Sequence, residues 1–273
     1  MKRDIKHDIA EMSLSQKQYI RKLQNRRYRI TILRILIFVL FLMLWETAVR
    51  MTWIDGFIFS SPSRVAKTFY SMWMDRSIFL HTGITMAETL ISFFLVVVLG
   101  LGTAILLWYY TELSEILEPY LVVLNSLPKS ALAPLLIVWL GANMKSIIVA
   151  GMSVAIFGTI LNLYTGFKET DPDDMKLIYT LQGKKKDVLT KVILPGTKPL
   201  LLSVMKVNIG LCLVGVVIGE FIGARQGLGY LIIYGSQVFK LSMVITSIVI
   251  LCIIAMLFYG GLQTLEHHYK KKV

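Results

Sequence analysis

The sequence predicts an all-α, polytopic membrane protein with six transmembrane helices. Three observations carry this prediction. Hydrophobic residues make up 55% of the 273 and charged residues only 17%, with a mean hydropathy of +0.65, which leaves too little polar surface for a water-soluble chain. The apolar residues gather in six runs, each near or beyond the roughly 20 residues that cross a hydrocarbon core. Nineteen of the 29 Lys and Arg fall in three segments, 1–29, 167–198 and 270–272, which a six-span chain puts on one side. The same composition excludes a disordered, collagenous or disulfide-stapled chain.

Residues 1–29 hold nine Lys and Arg and form a basic tail, too long and too charged for the start of a signal peptide. No small-residue cleavage site follows, so the apolar run 30–51 is read as a retained first span. Ser61 before Pro62 has the pattern of an N-cap with proline at the first helical position. It starts an amphipathic helix over 62–74 with Val65, Phe69 and Met72 on one face. Further spans are expected at about 84–109, 116–140, 144–166, 197–222 and 241–263. The chain is thus one membrane domain, 30–266, closed by a short tail, 267–273. The basic segments place both termini and 167–198 in the cytoplasm. Orientation in a membrane, rather than a nucleic-acid partner, accounts for the net charge of +12.

The third span contains Pro119, Pro128 and Pro134, with Lys129 beside the central proline and Asn125 three residues before it. Proline frees backbone carbonyls inside a membrane helix. Both a kinked helix and a broken one bordering a water-filled path fit that pattern. The fifth span carries Lys206, Asn208 and Glu220. Lys206 either snorkels toward headgroups or faces an interhelical cavity with Asn208. The candidate path is therefore Asn125, Lys129, Lys206, Asn208 and Glu220. Glu46 has Arg50 as an i,i+4 partner and reads as structural; whether Glu88 meets another carboxylate is open. Gly215, Gly219, Gly223 and Gly227 recur every fourth residue and suit close helix packing, or else a hinge.

The 167–198 segment is too long for a turn. Thr170 or Asp171 before Pro172, with Asp173 and Asp174 in the first turn, is a helix start. Met175, Leu177, Ile178 and Leu181 supply an apolar stripe, Gly183 a stop, and Lys184 begins a second run that ends before Pro195. A helix–Gly–helix element of this kind is either a docking surface or an interfacial helix on lipid.

Signs of chemistry are missing. No P-loop, G-x-S-x-G or H-E-x-x-H pattern occurs, so no catalytic residue, cofactor or metal site is expected. Cys212 and Cys252 lie in apolar runs, and the four histidines lack ligand spacing. A secondary transporter would want more intramembrane ionisable groups, and a membrane enzyme a nucleophile–base pair.

Several stretches resemble the permease subunits of binding-protein-dependent ABC importers of the nitrate/sulfonate/taurine-type branch. They are Ser61-Pro62-Ser63, His81 with Thr85–Leu90, Leu117-Glu118-Pro119 through Pro128, Ala133-Pro134 through Gly141, Asp171-Pro172, Val192-Ile193-Leu194-Pro195 and Glu220-Phe221 through Ile232. The family's E-A-A signature departs here: its three positions hold Lys176, Leu177 and Ile178, its glycine position holds Gln182, and Gly183 comes one residue late. The resemblance implies a type I ABC importer permease fold acting as a pair, most simply a homodimer, in the lipid of a prokaryotic cell membrane. It also implies ABC ATPase subunits docked at Asp171–Lys184 and an extracytoplasmic binding protein. The solute would be a small anion such as a sulfonate, nitrate or taurine, or a vitamin precursor.

Overall fold

The computed structural model describes residues 14–270, so the first part of the basic tail and Lys271–Val273 lie outside the described residues. Every element within them is helical. The chain divides into two units, up to Arg64 and from Val65 onward.

In the first unit, α1 (Leu14–Arg50) carries the first apolar run. Its large side chains, including Ile35, Ile37, Phe38 and Phe41, are exposed, as lipid-facing residues would be. Asp55 caps α2 (Gly56–Phe59) by accepting from the Phe57 amide at 2.7 Å. The first turn of α3 (Pro62–Met74) begins as the Ser-Pro pattern predicts, with Ser61 Oγ accepting from the Arg64 amide at 3.3 Å. Glu46 adds a second cap: its carboxylate accepts from Ser63 N at 3.1 Å and Ser63 Oγ at 3.0 Å while holding Arg50 Nε at 2.9 Å. A carboxylate there satisfies an orphan helix amide and suits the positive end of the helix dipole. The structural reading of Glu46 understated its task.

In the second unit the inward face of α3 runs through Val65, Thr68 and Met72, and Phe69 falls on its exposed edge. Three long helices form the centre: α4 (Ser77–Tyr109), α7 (Met144–Lys168) and α10 (Lys198–Gly223), with α7 packed along both others. The third apolar run is two helices, α5 (Thr111–Ser126) and α6 (Lys129–Leu140), bent by 97°. Leu127 is extended, as a residue before proline prefers, and Pro128 opens α6. Pro119 and Pro134 stay inside their helices, so one proline of three breaks the span. Counted as one crossing, the bent pair joins five long apolar helices to make six. The α12 helix (Leu241–Lys270) closes the series.

Small residues set the central packing. A Cβ on Gly215 would lie 2.9 Å from both Ala150 O and Gly151 Cα, so α10 meets α7 backbone to backbone. Gly219 and Gly223 continue this face against Ile147 and Ile137. Gly227 does not, because α10 ends at Gly223. It begins α11 (Leu228–Gln237), a short helix that the apolar pattern did not reveal.

At Gly227 φ is +114°, and an added Cβ would stand 2.4 Å from the Glu220 carboxyl carbon. Gly227→Ala should therefore cost on the order of 1–3 kcal/mol in backbone strain, before any displacement of Glu220. It should lower the thermal midpoint of the purified protein. Gly210→Ala, mid-helix where a Cβ meets nothing within 4 Å, should not lower the midpoint.

Candidate solute path and docking element

The break at Pro128 places α5 and α6 beside a cavity of about 420 Å³ whose other walls are α7 and α10. Its polar lining is Asn125, Lys129, Asn162, Ser203 and Asn208. Lys129 Nζ donates to the Asn125 carbonyl, one of the last carbonyls of α5, and lies 3.5 Å from Asn125 Oδ1. The ammonium thus satisfies a helix end while it lines the cavity. Asn208 is buried and donates to Thr159 Oγ1 at 2.7 Å, tying α10 to α7. The lining carries one cation, three amides and a hydroxyl, and no carboxylate. Sequence reasoning missed Asn162 and Ser203; each is a lone polar residue in an apolar run, which was the available signal.

Two expected path residues are elsewhere. Lys206 does not line this cavity. Its Nζ forms an ion pair with Glu266 Oε2 of α12 at 2.6 Å, both side chains mostly covered. Asn208 is two residues on, and a two-residue step turns a helix by about 200°, so the two side chains cannot share a face.

Glu220 is 1% exposed, lies outside the lining of this cavity and acts as a cap. It accepts from Gly229 N at 2.5 Å and from Thr85 Oγ1 at 2.6 Å. Thr85 Oγ1 also accepts from Leu228 N at 2.8 Å, and His81 Nδ1 accepts from Gly227 N at 3.0 Å. Gly227 has no side chain to cap α11, so α4 and α10 supply the acceptors. The Glu88 carboxyl lies against Glu220, which settles the open question of whether two carboxylates meet.

The 167–198 segment folds as a helix, a break and a helix. Asp171 caps α8 (Pro172–Thr180) by accepting from Asp173 N at 2.9 Å. The helix ends in a Schellman motif: Gly183 N donates to Ile178 O and Gln182 N to Tyr179 O, both at 2.9 Å. Gln182, at φ +60°, takes the left-handed position that favours glycine. Gly183 is needed beside it, since a Cβ there would meet Ile178 O at 2.8 Å. Then α9 (Lys185–Val188) starts with the Lys184 amide donating to Asp187 Oδ2 at 2.9 Å. That amide, then the Lys191 ammonium, hold the Asp187 carboxyl below the usual carboxylate range. The stability this adds is present above the unfolded carboxylate's pKa and is lost as pH falls through the folded one. A π-helical turn (Leu189–Ile193) and Leu194–Gly196 lead into α10.

The expected stripe Met175–Ile178–Leu181 does not form one free face. Met175 and Ile178 pack inward with Leu107, Phe167 and Val188, in the cluster where α4 and α7 meet this segment. Leu177 and Leu181, 58% and 71% exposed, point outward with Asp173 and Asp174. The inward pair secures the element to the bundle, so the outer face is the other one. No group of three or more His, Cys, Asp or Glu suited to a metal occurs among the described residues.

The ion pair generates a test. Lys206→Met removes the ammonium opposite Glu266 and should lower the thermal midpoint; Lys206→Met/Glu266→Leu should recover part of the loss. If Lys206 instead lined the path, the single variant would change transport with no change in the midpoint.

The comparisons agree with this architecture. Residues 96–267 match the family model described as binding-protein-dependent transport system inner membrane component. A probable ABC transporter permease protein of Haemophilus influenzae is 28% identical over 86% of this chain and 95% of its own. The formylaminopyrimidine transport permease protein ThiX of Halalkalibacterium halodurans is 27% identical (85% and 92% covered), and the taurine transport system permease protein TauC of Escherichia coli 24% (82% and 84% covered). Among solved structures, an inward-facing form of the MetNI methionine ABC transporter aligns with a TM-score of 0.62 at 20% identity, covering 72% of this chain and 96% of that one. The type I importer permease fold implied by the resemblance is thus present, and the chain belongs to the family of binding-protein-dependent transport system inner membrane components, the membrane permeases of ABC importers.

Proposed function

We propose that the chain passes a small anionic solute along the cavity bounded by α5, α6, α7 and α10. A separate ATPase would drive it from the cytoplasmic side, and an extracytoplasmic binding protein would deliver the solute. The observation that carries this reading is the cavity lining: the Lys129 ammonium with Asn125, Asn162, Ser203 and Asn208, and no opposing carboxylate. One cation among neutral donors attracts an oxyanion without trapping it. The taurine-transporting relative fits a sulfonate, whereas a formylaminopyrimidine would use the amides alone.

The ATPase would seat on the outward face of α8, through Leu177 and Leu181 beside Asp173 and Asp174, and a second copy of the chain would complete the path. Both termini and Lys184 would be cytoplasmic, since the basic residues lie there.

Two substitutions separate the parts. Lys129→Met should cut uptake of labelled taurine about tenfold, roughly 1.4 kcal/mol, and leave co-purification of the ATPase intact. Leu181→Asp should instead release the ATPase, costing about 2 kcal/mol or more of association, and lose uptake with it, while the permease still inserts. Ile178→Asp, by contrast, should destabilise the chain itself, because that side chain packs inward. Uptake of a labelled formylaminopyrimidine in place of taurine would overturn the anionic solute and keep the permease.

Orientation has its own check. With Cys252 replaced by Ser, an impermeant thiol reagent added outside intact cells should label cysteine at position 56 or 76 and not at 184. Labelling at 184 would reverse the assignment.

A further inference from the structure

The α4 helix ends at Tyr109 and α5 begins at Thr111, with Tyr110 alone between them in an extended conformation. Tyr109 O is among the last carbonyls of α4, which have no partner within the helix. Lys185, the first residue of α9, supplies one: its Nζ donates to Tyr109 O at 2.5 Å. The same ammonium stands 5.5 Å from the Trp108 ring centroid and 5.3 Å from that of Tyr109. A cation there also suits the negative end of the α4 dipole.

On the other side of the joint, Tyr164 OH of α7 lies 2.8 Å from Ser114 Oγ in the first turn of α5. Beyond that pivot α5 packs on the central cluster through Leu117 and Leu121 and leaves Ile116, Tyr120, Val122 and Val123 exposed. Its 16 residues make a lever of about 24 Å, and the far end carries Asn125 beside Lys129 in the cavity.

We propose that Lys185 is a positioning residue that latches the docking element to the joint between α4 and α5, so that movement of the element swings α5 and its Asn125 end in the solute path. This rests on the docking reading above. Val188, Met175 and Ile178 rest the element against the ends of α4 and α7. Lys185 donates to the Tyr109 carbonyl, next to Tyr110, the extended residue that separates α4 from α5.

The test uses the native complex, recovered through a tag on this chain with Cys252 replaced by Ser. Spin labels are placed in pairs, Phe94→Cys with Val123→Cys to follow α5, and Phe94→Cys with Thr180→Cys to follow the docking element. Distances are compared without nucleotide and with ADP and vanadate trapped. Both pairs should shift in the otherwise unchanged chain. With Lys185→Met the 180 shift should persist and the 123 shift should be lost, and Lys185→Arg should restore it. A 123 shift that survives Lys185→Met overturns the latch, as does failure of that variant to assemble, which would mark a merely structural lysine. Absence of the 180 shift in the unchanged chain overturns the docking reading and the latch with it.

Discussion

Bare helix ends are what this membrane chain has to manage. An amide or carbonyl away from water costs several kcal/mol if left without a partner, and a bundle built from broken and short helices has many such ends. The solution recurs along the chain: a side chain from a different helix reaches over to the open terminus. Glu46 of α1 takes the amide of Ser63 at the start of α3. Glu220 of α10 and Thr85 of α4 take the first amides of α11, which starts at a glycine. At carbonyl ends, Lys129 serves α5 and Lys185 serves α4. Each cap is also a tether between elements, so satisfying the backbone assembles the fold.

This explains why charged residues within apolar runs have different fates here. The ordinary presumption is that an intramembrane charge marks function. Glu46 and Glu220 are instead spent on helix starts, and Lys206 on Glu266. Lys129 satisfies a helix-end carbonyl and also lines a cavity. The glycines obey similar reasoning. Gly215 and Gly219 let α10 lie against the backbone of α7, whereas Gly227 makes room for a carboxylate and a backbone turn. The same four-residue spacing thus covers two separate jobs.

The 167–198 segment shows how the departure from the family's signature is absorbed. Gln182 stands where a glycine is usual and adopts the left-handed conformation at some cost. The Schellman bonds form all the same, because Gly183 leaves space over Ile178. The turn is kept and the strain is local. Its inner face is fixed by Met175, Ile178 and Val188, which leaves Leu177 and Leu181 exposed.

Membrane class, the span positions, the proline break as one of two options, and the helix starts at Pro62 and Pro172 were all determined by the sequence. These depend on run length, charge and residues adjacent in the chain, which a linear reading captures. Which way a side chain faces did not follow, because it depends on neighbours far along the chain. Met175 and Ile178 share a stripe with Leu181 by periodicity, yet the bundle covers only the first two. Lys206 and Glu266 are 60 residues apart, and Thr85 and Glu220 are 135, so no local pattern could pair them. The α11 helix was invisible for the same reason: its glycine start is capped by residues of α4 and α10, and only the folded chain brings those acceptors to it.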